Sequence, residues 1–383
     1  MKAVDGGMNG DDLFARDTPA ICSHPPGIRR APLRLVGESE TLGAPPLDTT
    51  GRFALRVVVL IANAFALAFL PAPAFAANVG FDELKIANGA ESPLVVGIWY
   101  PTNAPTAENP FGEFTQIVAT GAALEGRNLP LVLMSHGGGG WYGGHYDTAL
   151  ALARAGFVVA SVSHAGDTFD DQTKVAQLWR RPAQLHRLLD YMLGDWSQRA
   201  RLDATRVGAF GFSNGGFTVL VAAGGVPDLA KIGPFCQVHS DQDICEAMKD
   251  AGIDPHFGAD VPVSAWIHDR RVKTAVIAAP AFGFAFGRAG LSGIRVPIQL
   301  WRAADDRHQP NPYYDEAVRA DLPRPPEYHV VKQAGHYDFL PPCDARLSQS
   351  RPDICGSLPA FDRKAFHRRF NAEVVRFFQG KLR

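Results

Sequence analysis

The sequence predicts an α/β fold in which a mostly parallel central sheet is covered by helices on both faces. Two observations support this prediction. From residue 77 onward, strand-like runs alternate with segments of helical periodicity. Several strand-like runs are apolar throughout, as in parallel strands that are buried on both faces. The roughly 300 residues from position 77 onward are within the size range of a single domain of this class.

The first half of this domain contains three strand-like segments and one short helix. "SPLVVGIWYPT" (92–102) predicts an early strand, and "LPLVLMSHGGGG" (129–140) is an apolar run that breaks into glycines. Asp147 is expected to cap a short helix that stops at Gly156. "FVVASVSHAG" (157–166) predicts the next buried strand.

The second half continues the alternation. Pro182 lies in the first turn of a predicted helix, and the apolar residues that follow it recur at helical spacing. Those residues are Leu185, Leu188, Leu189 and Met192. Further strands are predicted from Val207 and over 272–281, 296–304 and 327–335, with helices after Ser213 and over 361–378. No repeat or low-complexity tract interrupts this order.

Residues 226–271 do not fit the alternation. They have mixed polarity and lie between a predicted helix and a buried strand. An insertion at this point is expected above the C-terminal ends of the strands, where open α/β sheets bind ligands. We interpret the segment as a small cap.

The N-terminal 76 residues indicate export. Residues 1–50 have no apolar periodicity and are interpreted as a disordered or misassigned leader. Residues 51–76 resemble a secretory signal peptide, with basic residues, an apolar run and small residues in order. A membrane anchor is the alternative, but the apolar run is short and ends in prolines. These features predict cleavage near Ala76, a periplasmic or secreted location and no stable membrane span afterwards.

Composition narrows the function further. The formal net charge is −1, with 46% hydrophobic and 20% charged residues, which argues against nucleic acid as a partner. Four of the five cysteines form two local pairs, Cys236/Cys245 and Cys343/Cys355, while Cys22 lies in the leader. Four cysteines allow three pairings, and short loops favour the two local ones.

The stretch "GFSNGG" is the first chemical signal. Ser213 follows a strand and precedes a helix within a Gly-x-Ser-x-Gly pattern, which is typical of a nucleophile held in a sharp turn. A seryl hydroxyl needs a base to become nucleophilic. By itself the motif also suits an ordinary loop serine.

The remaining parts of a catalytic triad follow in order. His336 comes just after the last predicted strand, in "AGHYDF", and is the candidate base. Asp305 and Asp306 follow the preceding strand. Because successive residues point to opposite sides, only one carboxylate can face His336. The residues alone leave open whether that carboxylate is Asp305 or Asp306.

The glycines of "SHGGGG" are candidates for an oxyanion hole. The N–H of Gly138, together with that of Asn214, is expected to point at a carbonyl oxygen above Ser213. His136 could alternatively bind a metal with His145 and His164. No HExxH-type motif supports that reading, so we expect His136 to brace the loop and predict neither metal nor organic cofactor.

These motifs together resemble the α/β-hydrolase superfamily, in its branch of predicted dienelactone hydrolases and platelet-activating-factor acetylhydrolase-like esterases. The resemblance rests on "GIWYPT", "SHGGGG", "GFSNGG", "VPIQLWRAADD" and "AGHYDFLPPC", from about residue 80 to the end. It implies the α/β-hydrolase fold, with Ser213, His336 and an aspartate as the triad. Asp306 stands four residues before Pro310, as in the Asp-x-x-x-Pro turn of this family, so the resemblance makes Asp306 the first choice and Asp305 the second. The sequence departs from the family pattern at two positions. Residue 213 is a serine where dienelactone hydrolases have a cysteine nucleophile, and residue 303 is an alanine where a glycine is common at the end of the strand before the acid.

The sequence therefore predicts a serine hydrolase that cleaves small carboxylic esters through an acyl-enzyme. A peptidase or a lipase on the same scaffold is one alternative, because the fold does not choose among acyl substrates. A non-catalytic binding protein that kept the scaffold is the other. Acyl-chain length, leaving group and oligomeric state stay open.

Overall fold

The computed structural model describes residues 78–383. These residues form one ten-stranded sheet with helices packed against it. In chain order the strands are β1 Asn78–Asn88, β2 Glu91–Thr102, β3 Ala107–Phe111, β4 Phe114–Thr120, β5 Leu129–Ser135, β6 Val158–Val162, β7 Leu202–Phe212, β8 Val272–Ala278, β9 Ile298–Ala303 and β10 Glu327–Val331. The predicted leader (1–50) and signal peptide (51–76) lie outside the described residues.

The helices of the described chain alternate with the later strands, as predicted. They are α1 Tyr146–Arg154, α2 Arg180–Gly194, α3 Asn214–Ala222, α4 Ile232–Val238, α5 Asp243–Asp250, α6 Gly283–Leu291, α7 Asp315–Asp321, α8 Ala345–Ser350, α9 Pro352–Cys355 and α10 Arg363–Lys381. None of the helices in residues 78–383 combines the length and apolar character needed to cross a bilayer.

The sheet has the strand order β10-β9-β8-β7-β5-β6-β2-β1-β4-β3. The six strands from β10 to β6 pair in parallel, whereas β2 pairs antiparallel with both β6 and β1. The predicted parallel sheet is confirmed for this part. Strands β1, β3 and β4 were not predicted, because they are partly exposed and lack a continuous apolar run.

Helices cover both faces of the sheet, and the side chains of β5 show why. Leu131 and Leu133 belong to one buried cluster, whereas Val132 and Met134 belong to another on the opposite face. Leucines of α2 and apolar residues of α3 fill the first cluster, and α1 and α10 fill the second. Because parallel strands must be buried on both faces, this arrangement requires the unbroken apolar runs seen in the sequence.

The start of α1 differs from the prediction. Asp147 lies inside the helix rather than at its cap, since the N-cap position is His145, which makes no side-chain capping bond. The Asp147 carboxylate instead accepts hydrogen bonds from His367 and Asn371 on α10. A partner distant in sequence has therefore replaced the local capping interaction that the sequence favoured.

The segment 226–271 contains α4 and α5 and lies against the turn that follows β9. Asp243 at the start of α5 pairs with His308 in that turn at 2.6 Å. Phe235 of α4 stacks on Phe284 of α6 with ring centroids 3.8 Å apart. The segment is thus placed at the C-terminal edge of the sheet, and its role as a cap stays a prediction.

Both predicted disulfides form in the described chain. Cys236 and Cys245 have Cα atoms 5.5 Å apart and link α4 to α5. Cys343 and Cys355 have Cα atoms 5.7 Å apart and close the loop that follows His336. The local pairing favoured by short loops is confirmed.

Candidate active site

Ser213 lies in a strained turn between β7 and α3. Its backbone has φ 55° and ψ −120°, a conformation that costs a non-glycine residue on the order of 1–3 kcal/mol. A Cβ atom on Gly211 would lie 2.1 Å from the carbonyl oxygen of Gly215, and one on Gly215 would lie 1.9 Å from that of Ser135. The turn therefore requires glycine at both flanking positions of the sequence motif.

Three side chains predicted from the sequence meet at this turn. His336 Nε2 lies 3.1 Å from Ser213 Oγ, and His336 Nδ1 lies 2.7 Å from Asp306 Oδ2. The side chains of His336 and Asp306 are 4% and 2% exposed. The hydrogen-bonding partners assign the proton of the neutral ring to Nδ1, which leaves Nε2 free to accept the Ser213 hydroxyl proton.

The structure separates the two candidate aspartates. Asp306 is buried and faces His336, whereas Asp305 is exposed to solvent. Burial alone would raise the pKa of Asp306, but the charge and hydrogen bond of His336 and the backbone N–H of Gln309 lower it below its usual value. The Asp306 carboxylate is thus well placed to stay ionised beside the histidine ring.

Gln309 contacts the Ser213 hydroxyl, and sequence reasoning missed it. One of its amide atoms lies 3.1 Å from Ser213 Oγ, while the other faces the carbonyl oxygens of Ala279 at 2.7 Å and Pro280 at 3.1 Å. Because carbonyl oxygens only accept, the atom that faces them is Nε2 and the atom that faces Ser213 is Oε1. The spacing Asp306-x-x-Gln309, within one turn, is the signal that could have found it.

The turn that carries His336 is fixed by charged groups on α10. Asp338 accepts a hydrogen bond from Arg363 Nε at 2.9 Å and, with its other oxygen, one from the backbone N–H of Gly335 at 2.8 Å. The ring of His367 lies 2.9 Å from the carbonyl oxygen of Asp338. These contacts hold the loop after β10 against the helix.

The glycine loop after β5 lies beside Ser213. A Cβ atom on Gly137 would lie 3.4 Å from Ser213 Cβ, and one on Gly138 would lie 2.7 Å from Asn214 Nδ2. The N–H of Gly139 is bound by Asp167 and that of Gly140 by the carbonyl of Gly137. Within residues 78–383, the N–H groups of Gly137 and Gly138 have no acceptor.

The histidines considered as metal ligands have other roles in the fold. His136 donates from Nδ1 to the carbonyl of Gly137 at 2.6 Å and accepts the N–H of His164 at Nε2. His164 lies between Ser135 and Gln184. Burial, then the charge of Arg181, hold the pKa of His136 well below its usual value. His145 packs against Phe210 and Phe212, and burial lowers its pKa to about 3.

A different group in the described chain has metal-ligand spacing. The side-chain ligand atoms of Glu327, His329 and Glu373 lie within 4.8 Å of one another. Glu327 already accepts hydrogen bonds from Gln299 and Arg376. A cation would have to compete with the guanidinium of Arg376, so we assign no metal to this group.

Comparisons with known proteins agree with a hydrolase scaffold. No known protein-family profile matches the sequence. A 98-residue stretch is 35% identical to Cutinase 2 of Thermobifida cellulosilytica, covering 25% of this chain and 37% of the cutinase. Cutinase cut1 of Thermobifida fusca matches at the same identity over 31% of its length. The chain thus spans about a third of the length of these relatives.

Two solved structures are similar over most of the chain. The ferulic acid esterase from Streptomyces cinnamoneus has a TM-score of 0.55 and 19% identity, covering 82% of this chain and 92% of the esterase. The dienelactone hydrolase from Anabaena variabilis has a TM-score of 0.44 and 15% identity, covering 79% of this chain and 99% of the hydrolase. The first similarity, with the observed sheet, shows that the chain has the α/β-hydrolase fold.

Proposed function

We propose that the protein is a serine hydrolase that cleaves carboxylic esters through an acyl-enzyme. The observation that carries this proposal is the hydrogen-bonded chain from Ser213 through His336 to Asp306, built on a strained turn with positive φ. Non-glycine residues held in such sparsely populated conformations cluster at active sites. The names of the similar proteins, cutinase and ferulic acid esterase, support an ester rather than another acyl substrate.

Acylation begins when Ser213 Oγ attacks the ester carbonyl carbon. Its proton passes to His336 Nε2, and the electron pair of the C=O bond moves onto the oxygen. Asp306 holds the ring tautomer and stabilises the resulting imidazolium. When the intermediate collapses, the C–O bond to the alcohol breaks and the departing oxygen takes the proton from His336. The acyl group is then bonded to Ser213.

Water resolves the acyl-enzyme by the same route. His336 accepts one proton from the water as its oxygen bonds to the acyl carbon, and then returns a proton to Ser213 Oγ as the acid leaves. The N–H groups of Asn214 and Gly138 are the donors proposed for the negative oxygen in both halves. As the first residue of α3, Asn214 has an N–H without a partner in a preceding helical turn.

Active-site labelling tests the proposal. A fluorophosphonate probe is expected to modify Ser213 in the folded protein and to abolish hydrolysis of p-nitrophenyl esters. Ser213→Ala should neither label nor turn over, whereas Ser161→Ala, which alters a buried serine on β6, should do both. Failure of the folded wild-type protein to label would favour a non-catalytic binding protein.

A substrate panel distinguishes an esterase from a lipase and from a peptidase. Short and long p-nitrophenyl esters, a triglyceride emulsion and a peptide anilide are compared at equal enzyme concentration. We expect kcat/KM to be highest on a soluble ester. A preference for the emulsion would indicate a lipase, and a preference for the anilide would indicate a peptidase.

We also propose that the protein is exported. Arg52, Arg56, the apolar run to Leu70 and the small residues Ala74 and Ala76 support a signal peptide, and two disulfides suit an oxidising compartment. N-terminal sequencing of protein recovered from the periplasm or medium should start near Ala77. Recovery of the full-length chain from the cytosol would contradict export.

A further inference from the structure

A buried ion pair lies under the glycine loop. Arg181 in the first turn of α2 and Asp167 in the loop after β6 are 2.5 Å apart, with side chains 3% and 4% exposed. A cation in the first turn of a helix faces the positive end of the helix dipole. A buried pair is also weak evidence for stability, because desolvation opposes the attraction. The contacts of the pair indicate a different role.

Three successive peptide units of the loop are each held by a side chain. Arg181 Nη2 donates to the carbonyl oxygen of His136. The ring of His136 donates to the carbonyl oxygen of Gly137 at 2.6 Å. Asp167 Oδ1 accepts the N–H of Gly139 at 2.7 Å. The peptide planes from residue 136 to residue 139 are therefore fixed one after another.

The directions of the free N–H groups follow from this arrangement. In a trans peptide, the C=O of one residue and the N–H of the next point in opposite directions. Because Arg181 holds the carbonyl of His136, the N–H of Gly137 points away from the ion pair. Because the ring of His136 holds the carbonyl of Gly137, the N–H of Gly138 points away from that ring. In the described chain these two donors lack acceptors, and Gly137 lies beside Ser213.

The same guanidinium also connects the loop to the nucleophile helix. Arg181 Nε donates to Thr218 Oγ1 at 3.1 Å, and Thr218 Oγ1 donates to the carbonyl oxygen of Asn214 at 2.7 Å. One rigid group thus fixes both the glycine loop and the first turn of α3. A lysine has one donor centre and cannot bridge all three partners, since only the planar fork of arginine has donors in these directions.

We propose that Arg181 and Asp167 are positioning residues that aim the N–H groups of Gly137 and Gly138, beside that of Asn214, at the negative oxygen of the reaction. This inference rests on the proposed ester hydrolysis. Preorganised donors act only if their directions are set before the charge develops. The ion pair and the His136 ring set the directions of these N–H groups through their hydrogen bonds to the peptide units of residues 136–139.

Two near-isosteric variants test this role. Arg181→Lys keeps the charge but cannot reach Asp167, His136 and Thr218 together. Asp167→Asn keeps the shape but replaces one of the two oxygens, which bind Gly139 and Arg181 separately, by an NH₂ group that cannot accept a hydrogen bond. Each variant is assayed on a matched ester and thionoester at a temperature where circular dichroism shows it to be folded. Sulfur in place of the carbonyl oxygen is a weaker, longer hydrogen-bond acceptor, so the ester-to-thionoester rate ratio reports on the oxyanion donors.

We expect kcat on the ester to fall about 10- to 100-fold, less than the 10²–10³-fold loss from removing a donor outright. KM should stay within about threefold, and the ester-to-thionoester ratio should fall together with kcat. Arg271→Lys is the matched control. Its guanidinium pairs with the buried Asp269 just before β8, at the N-terminal ends of the parallel strands, whereas Ser213 follows the C-terminal end of β7. It should leave the ratio unchanged.

Losses that are equal on both substrates, or no loss on either, overturn the proposed role. Wild-type protein that neither labels with fluorophosphonate nor hydrolyses the ester would instead refute the proposed function itself. The two failures are therefore distinguishable. If Arg181→Lys does not fold, Asp167→Asn alone decides the outcome.

Discussion

Replacing Asp306 by asparagine should abolish the proposed esterase activity while leaving the protein folded. In the native site, Asp306 Oδ1 accepts the N–H of Gln309 at 2.8 Å and Oδ2 faces His336 Nδ1 at 2.7 Å. Asparagine can keep the first contact through its oxygen, which turns its NH₂ group toward the ring. His336 Nδ1 must then become an acceptor, and the ring proton moves to Nε2. That proton faces Ser213 Oγ, so the ring can no longer act as its base.

The expected size of the effect follows from this change of tautomer. Loss of the triad carboxylate lowers turnover by up to about 10⁴-fold, which corresponds to about 5 kcal/mol of transition-state stabilisation. The folded state loses one charge-assisted hydrogen bond, on the order of 1.5–3 kcal/mol. The melting temperature should therefore fall only moderately while kcat nearly disappears.

Asp305→Asn is the matched control, since this neighbour is exposed and forms no ion pair within the described residues. It should retain kcat and KM within about twofold. Both variants are assayed on one p-nitrophenyl ester, with circular dichroism to confirm folding. If folded Asp306→Asn keeps more than about a tenth of the wild-type kcat, or if Asp305→Asn is the inactive variant, the assignment of the acid is wrong.

Three further predictions concern the scaffold. Gly215→Ala should prevent folding or abolish activity, because the added Cβ would lie 1.9 Å from a β5 carbonyl oxygen. A Cβ on Gly194 meets open space, so Gly194→Ala is the control and should fold and remain active. Expression, melting temperature and esterase rate are compared for the two variants. Burial raises the pKa of Asp315 to about 7. The free energy of unfolding should therefore fall as the pH rises from about 4 to about 7, because the unfolded chain releases this proton at a lower pH than the folded protein does. Thermal melts should show wild type losing stability over that range relative to Asp315→Asn, and parallel curves would contradict the shift. Replacing Cys343 and Cys355 by serine should cost about 2–4 kcal/mol in urea unfolding, and an unchanged midpoint would show that the bond does not constrain the unfolded chain.

Features encoded locally could be predicted from the sequence. The apolar runs of the parallel strands and the helical spacing after Pro182 depend on near neighbours along the chain, and they predicted β5 to β9 and α2. The local pairing of Cys236 with Cys245 followed from the short distance between them in sequence. The positions of Ser213 and His336, each directly after a predicted strand, identified them as the candidate nucleophile and the candidate base.

Local signals failed where a distant partner decides the structure. Asp147 has the chemistry of a helix cap, yet its carboxylate binds α10, which lies more than 200 residues later in the chain. Strands β1, β3 and β4 are half-exposed, so their periodicity is weak and only their pairing defines them. The choice between Asp305 and Asp306 also needed the structure, because it depends on which side of the β9 turn faces His336.

The sequence by itself determined which residue types could perform acyl transfer and in what order they occur, because a strand, a sharp turn and a helix are specified by neighbouring residues. Only the tertiary structure decided which groups surround them. Gln309 reaches Ser213 across 96 positions and Arg181 reaches the carbonyl of His136 across 45. Such contacts have no local pattern, since they depend on how the sheet brings the ends of β5, β6, β7 and β9 together. The positive φ of Ser213 has the same origin, because the packing of β7, α3 and β8 around it holds a conformation that the residue would not adopt alone.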